Sequence, residues 1–281
     1  MNGQKKIAVI NDIAGFGRCA ASVIIPIINV MKIQTVFIPT AILSAHPQFS
    51  SYYIDDYTAR MKEYIQTYKD LDLKFDGMMV GYLGSSEQFD IVIDFIKRFQ
   101  KNNFVMVDPV MGDHGQLYEI YTPSMCQRMK ELISYSDIIT PNLTELMALL
   151  DQPYPTKIPD EKQLYEMCQT LSKQGPQCIV VTGIPINDQE IMNFVYDHGH
   201  YQTFIVSRIG KDRCGTGDVI TGVIAGSYMN GYALQESVQR AVDFTSLCIQ
   251  HCEDTNIPHH YGLCIEEYLY KLGLGEKERM I

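Results

Sequence analysis

Across 281 residues the chain carries 33 acidic against 23 basic side chains, a formal charge of −10, which excludes the broad basic field that sequence-independent nucleic-acid binding draws on. Hydrophobic residues at 46% and charged residues at 20% are enough to bury a sizeable core, which excludes disorder and fibrous assembly. The longest apolar-rich stretch, Ser22 to Met31, is broken by Pro26 and Asn29 and falls short of the ~20 residues a bilayer needs; the run Ile7–Ile10 is too short for a secretion signal. No membrane attachment and a cytoplasmic location are therefore expected.

Short apolar runs alternate with segments of helical period. Strand Lys6–Ile10 leads to helix Ala20–Met31, then strand Thr35–Ile38 and helix Asp56–Tyr68. Strand Met78–Val80, helix Glu87–Gln100, strand Phe104–Val107, helix Pro123–Ser134 and strand Asp137–Ile139 follow. Helix Glu161–Gln174 and strand Cys178–Val181 precede a hairpin, Met192–Asp197 with Tyr201–Val206. Helices are expected at Gly217–Met229, Leu234–Cys252 and Glu266–Leu272, and Leu43–Tyr53, without a clear period, reads as a loop or small flap. The βαβ alternation implies a mostly parallel sheet covered by helices on both faces, with an antiparallel hairpin at its edge and ligands held beyond the carboxyl ends of the strands. No linker or repeat interrupts it, so one domain over 1–281 is expected.

The eight cysteines are scattered through apolar segments, which fits reduced thiols. Cys248, His251 and Cys252 share a helical face, but no second pair at zinc-finger spacing accompanies them, so packing is the expectation there.

Three segments carry chemistry. Cys214-Gly215-Thr216-Gly217-Asp218 opens an apolar helix. Its glycines let the backbone approach a ligand, and the unpaired N–H groups of a helix start favour an anion. A carboxylate at 218 would repel that anion, unless it takes a hydroxyl proton while the N–H groups hold a transferring phosphoryl group. The plain alternative is a tight turn with an acid in the first helical turn. Asp108-Pro109-Val110-Met111-Gly112-Asp113 follows a buried strand, where Asp108 could hold Mg²⁺ through oxygen or water, and Gly112 and Gly115 would loosen the next segment into a lid. Thr140-Pro141-Asn142-Leu143-Thr144-Glu145 places Asn142 and Glu145 one helical turn apart, as metal ligands or as a capping box. Gly15-Phe16-Gly17 lacks the third glycine and the acid of a dinucleotide turn, which argues against a nicotinamide enzyme.

Taken in order, these boxes resemble the ribokinase-like superfamily and, within it, the pyridoxal (vitamin B6) kinases. Val80-Gly81-Tyr82-Leu83-Gly84 and Asn11-Asp12-Ile13-Ala14-Gly15-Phe16-Gly17 are similar to two further segments of that family. The resemblance implies a three-layer α/β/α sandwich and transfer of the ATP γ-phosphoryl group to the 5′-hydroxymethyl of a B6 vitamer. Asp218 would be the base, and the Gly215, Thr216 and Gly217 amides the anion hole. It further implies Mg²⁺ near Asp108, Asn142 and Glu145, nucleotide contacts from Asp113, Tyr118, Asn142, Thr182 and Cys214, and ring contacts from Asp12, His46 and Tyr82. A monovalent cation such as K⁺ and a homodimer are also expected on this resemblance. Asp12 stands where many members have a small hydroxyl residue, and Pro47 where they have Thr. Hydroxymethylpyrimidine kinase of thiamine synthesis is the alternative, although its first turn is richer in Ser and Gly. Cys214, next to a helix start, either packs or adds reversibly to an aldehyde.

Overall fold

The computed structural model describes residues 3–99 and 103–273. In chain order the elements are β1 (Lys6–Ala14), α1 (Ala21–Val30), β2 (Gln34–Leu43), β3 (Ile54–Asp56), α2 (Thr58–Asp70), β4 (Gly77–Val80) and α3 (Ser86–Phe99). There follow β5 (Phe104–Val107), β6 (Gly112–Asp113), β7 (Gln116–Leu117), α4 (Pro123–Ile133), β8 (Ile138–Ile139), α5 (Leu143–Leu149) and α6 (Glu161–Ser172). The series closes with β9 (Cys178–Pro185), β10 (Glu190–Asp197), β11 (His200–Ser207), α7 (Thr216–Met229) and α8 (Leu234–Asp254). The mixed α/β architecture with mainly parallel strands is the one the alternation implies. Gln100, the last residue of the helix expected at Glu87–Gln100, lies outside the described residues.

The chain divides into two compact units, Met1–Tyr57 with Lys74–Gly77 and Ile209–Ile281, and Thr58–Leu73 with Met78–Arg208. In the first unit β1 pairs parallel with β2, and β3 pairs antiparallel with the end of β2. The expected strands were shorter, because the apolar runs stop at Ile10 and Ile38, yet pairing carries on through Asn11↔Pro39 and Ile13↔Ile42. Ile7, Ala8, Val9 and Ile10 are fully buried, as a strand covered on both faces requires. Helices α1, α7 and α8 belong to this unit, and Val219, Val223, Ile224 and Ala225 of α7 are fully buried.

In the second unit β5, β8 and β9 run parallel, and β9, β10 and β11 form an antiparallel meander at the edge. The expected hairpin is the β10–β11 pair, turning at His198-Gly199. The segment expected as a loose lid contains a small hairpin, β6 with β7, turning through His114 and Gly115 in left-handed conformations.

One expected helix is absent. Glu266–Leu272 forms a turn and then a single 3₁₀ turn at Leu269–Leu272. Only Leu272 in that turn is buried, and the Ile265 carbonyl accepts from both Tyr268 N–H and Leu269 N–H at 3.0 Å, which tightens the chain instead of extending an α-helix. All eight cysteines are free thiols, seven of them buried and Cys214 half-buried. Cys248 and Cys252 pack in α8 while His251 sets its ring edge-on to Tyr268, so the packing expectation holds there. No helix among the described residues is long and apolar enough to cross a membrane.

Candidate active site

Two groups of residues carry chemistry, one in each unit. The first is built around the start of α7. Gly215 caps the helix with φ +78°, and a Cβ there would stand 2.1 Å from the Arg18 carbonyl oxygen, so only glycine fits. No side chain caps this helix start, and Gly217 opens onto free space, with nothing within 4 Å of where a Cβ would lie. The Thr216 hydroxyl donates back to the Arg213 carbonyl at 2.9 Å. What is left is a ring of backbone N–H donors at the positive end of a 14-residue helix, the arrangement that holds an anion.

Asp218 sits in the first turn of α7, and the backbone N–H of Ala20 donates to its carboxylate. Burial outweighs that bond and pushes its pKa up to about 6. Asp12 is pushed further, to about 7, by burial first and by the Asp218 charge second. Two buried acids beside an anion site are costly, and both titrate closer to neutrality than free carboxylates do. Cys19 lies against the same group; its thiol is raised by hydrogen bonding to Cys214, by burial and by the charges of Asp218 and Asp12, so Cys19 stays protonated and donates to Cys214.

His46 is 3% exposed and both of its ring nitrogens are engaged. Nε2 donates to the His260 carbonyl at 2.7 Å, and Nδ1 accepts from the Gln48 N–H at 3.2 Å. Both ring nitrogens are thus engaged with the backbone, and His46 shapes the turn. It does so tightly: Gly17 has φ +114°, and a Cβ there would lie 2.0 Å from His46 Cδ2. Phe16, Phe49 and Tyr261 pack beside it with ring centroids 4.9 to 6.0 Å apart.

Three contributors escaped the sequence reading. Arg18 and Ala20 hold left-handed φ of 41° and 52° without being glycine, the strain that brings the Ala20 N–H to Asp218. Arg213, its side chain only 1% exposed, forks onto Glu253 at 2.6 and 3.2 Å and donates to the Ile257 carbonyl at 2.9 Å. It thereby pins the residue immediately before the anion loop. Replacing Arg213 by Met strands a mostly buried carboxylate and is expected to cost about 3 kcal/mol. Differential scanning of the two proteins checks this, and an unchanged melting temperature would contradict it.

The second group follows strands β5 and β8. Asn142 caps α5 by accepting from the Glu145 N–H at 3.0 Å, while Glu145 Oε2 accepts from the Asn142 N–H at 2.9 Å. Asn142 also donates to the Gly112 carbonyl at 2.8 Å, Glu145 Oε1 accepts from the Met111 N–H at 3.1 Å, and the Thr144 hydroxyl accepts from the Gly115 N–H at 2.9 Å. The capping box is formed, and its residues also reach across to Met111 and Gly112, so the start of α5 holds the loop that carries Asp108 and Asp113. Burial, then the charges of Asp108 and, more weakly, Asp113, hold the Glu145 carboxyl well above the usual range.

A hard divalent cation fits this acid set, because it would relieve the mutual repulsion of buried oxygen donors. Asp113 is exposed and its carboxylate accepts from the His114 N–H at 2.8 Å; Tyr118 is 46% exposed. Thr182 donates its N–H to the Pro141 carbonyl at 2.9 Å and is bridged to Asn142. Tyr82, half-buried after β4, stands near the buried Tyr121, whose hydroxyl donates to the Leu83 carbonyl at 3.2 Å.

The family model for phosphomethylpyrimidine kinase matches residues 29–264. The chain belongs to that family. A Bacteroides thetaiotaomicron protein assigned as a phosphomethylpyrimidine kinase is 36% identical, with a TM-score of 0.94 over 98% of this chain and 96% of that one. A second crystal form of it, obtained with pyridoxal, gives 0.90 over 97% and 96%. The pyridoxal kinase of Lactobacillus plantarum is 26% identical, with a TM-score of 0.89 over 96% of this chain and 97% of that one. Hydroxymethylpyrimidine/phosphomethylpyrimidine kinase of Escherichia coli is 23% identical over 193 residues, 68% of this chain and 71% of that protein. The resemblance to the ribokinase-like pyridoxal kinases thus holds, and the chain is a kinase of the pyridoxal and hydroxymethylpyrimidine group.

Proposed function

We propose that the protein phosphorylates the 5′-hydroxymethyl group of a B6 vitamer from ATP. The observation that carries this reading is the pyridoxal crystal form of the 36% identical Bacteroides protein, together with a paired Asp12 and Asp218 beside a helix N-terminus here. Asp218, ionised above about pH 6, takes the hydroxyl proton as the oxygen attacks the γ-phosphorus; the bond to ADP breaks, and the proton leaves to solvent. The α7 N–H groups hold the charge that gathers on the phosphoryl oxygens. Asp108 and Glu145, framed by Asn142, would hold Mg²⁺, which supplies charge neutralisation at the nucleotide phosphates. Asp12, next to the base, suits a protonated ring nitrogen or amine on the acceptor. Asp12→Asn is expected to lower kcat/KM for pyridoxamine more than for pyridoxine, and an unchanged vitamer ratio would remove that role.

Hydroxymethylpyrimidine is the second reading, favoured by the family model and the Escherichia coli relative. Measuring kcat/KM for pyridoxal, pyridoxine, pyridoxamine and hydroxymethylpyrimidine separates the two. The proposal predicts at least a tenfold preference for a pyridine, and preference for the pyrimidine would overturn it.

A further inference from the structure

The second unit contains a cluster that phosphoryl transfer does not use. Cys178 opens β9, Asp197 ends β10 as its cross-strand partner, and His198 follows in the turn with φ 49°. Cross-strand partners project to the same face of a sheet, which brings the thiol and the carboxylate together, and the left-handed turn swings the imidazole onto them. Cys178 Sγ lies 3.4 Å from Asp197 Oδ1 and 3.7 Å from His198 Nδ1, and these two lie 2.7 Å from each other. Among the described residues it is the group of Cys, His and acid side chains whose ligand atoms all fall within 4.8 Å of one another.

We infer that Cys178, Asp197 and His198 form a binding site for a divalent ion of the zinc type, with a fourth position open to water. Sulfur, nitrogen and oxygen ligands at tetrahedral zinc bond lengths stand roughly 3.3–3.6 Å apart. The sulfur distances of 3.4 and 3.7 Å already lie within about 0.1 Å of that range, and the short Asp197–His198 separation is a hydrogen bond that opens once the metal replaces its proton. Neutral His198 then carries its proton on Nε2, and the thiol proton of Cys178 goes to solvent, so one proton is released per ion bound. Without metal, burial and then the Asp197 charge push the thiol up to about 12, so it is protonated and quiet at neutral pH. A thiolate with an imidazole selects zinc over magnesium, which keeps this site distinct from the all-oxygen set at Asp108 and Glu145. The site lies at the start of β9, four residues or roughly 13 Å along the strand from Thr182. Its occupancy would tie β9, β10 and the turn together at the sheet edge.

Cobalt reports it directly. The full-length protein, stripped with chelator and titrated with Co²⁺, is expected to develop a thiolate-to-cobalt charge-transfer band that saturates at one equivalent and is abolished by excess Zn²⁺. Cys178→Ser should remove the band. His198→Ala, on an exposed turn where folding is not at risk, should weaken Co²⁺ binding at least tenfold while leaving kinase turnover unchanged. Absence of the band in the wild type, or a band that survives at full strength in either variant, would overturn the assignment.

Discussion

Asp218→Asn is expected to lower kcat about 10³-fold, the usual scale for a positioned general base, and at the same time to raise the melting temperature at neutral pH. The second effect follows from the sign of the pKa shift. Asp218 titrates at about 6 in the folded chain against 3.8 as a free side chain, so the native state binds its proton more tightly than the unfolded state does. Below pH 4, protonated in both states, it carries no charge penalty; as pH rises to about 6 a cost of up to about 3 kcal/mol builds up and stays level above that. Asparagine carries no such cost, and its amide oxygen can still accept from the Ala20 N–H. The difference in melting temperature between variant and wild type should therefore be near zero at pH 4, grow up to about pH 6 and stay level beyond. The same variant removes one of the charges that raise Asp12, so Asp12 should titrate below its wild-type value of about 7. In the wild type, kcat should fall about tenfold per pH unit below pH 6. A variant that loses activity without gaining stability at pH 8 would show that the carboxylate is not buried at a cost.

The anion loop yields the second large effect through a pair of glycines with opposite surroundings. Gly215→Ala forces a side chain into a left-handed φ of +78° and to within 2.1 Å of the Arg18 carbonyl oxygen. The expected cost is about 3 kcal/mol or more, a melting point lower by roughly 6–10 °C, and kcat reduced at least a hundredfold. Gly217→Ala meets nothing within 4 Å and lies inside α7, where alanine is the better helix former, so stability should hold or rise. Its methyl group would nevertheless stand at the opening onto the helix N–H groups, and kcat should fall about tenfold or more. Calorimetry and steady-state kinetics on the two variants check this together. A Gly217→Ala protein with full activity would mean that no phosphoryl group approaches this helix start.

Much of this was legible in the sequence, for reasons that differ by residue. The buried strands announce themselves because Ile7–Ile10 and Phe104–Val107 are unbroken apolar runs, which a doubly covered sheet demands. The end of β1 does not, because Asn11 to Ala14 stay in β1 through pairing with β2 and not through their own character, whereas Phe104–Val107 is β5 to the residue. The placement of Asp218 in the first turn of a glycine-started helix was legible from the Gly215-Thr216-Gly217-Asp218 run itself. The residues that hold it in place were not: Ala20 is 198 positions away, and nothing about an alanine signals a strained N–H donor. Arg213 and Glu253 are likewise two ordinary charges until folding buries the first against the second. His46 was read as a ring contact, whereas its two nitrogens are spent on the backbone at Gln48 and His260, partners no local pattern reveals. Asn142 and Glu145 were read as either a cap or metal ligands. The cap is formed, and it is also the frame that presents Asp108, an outcome that required the Met111 and Gly112 contacts to be seen.

The most direct test of the central claim is the formation of pyridoxal 5′-phosphate from pyridoxal and ATP, followed with wild type and Asp218→Asn side by side at pH 8. The account predicts turnover by the wild type and a loss of about 10³-fold in the variant with its fold intact. Equal rates in both proteins, or no product from the wild type while hydroxymethylpyrimidine is phosphorylated, would contradict it.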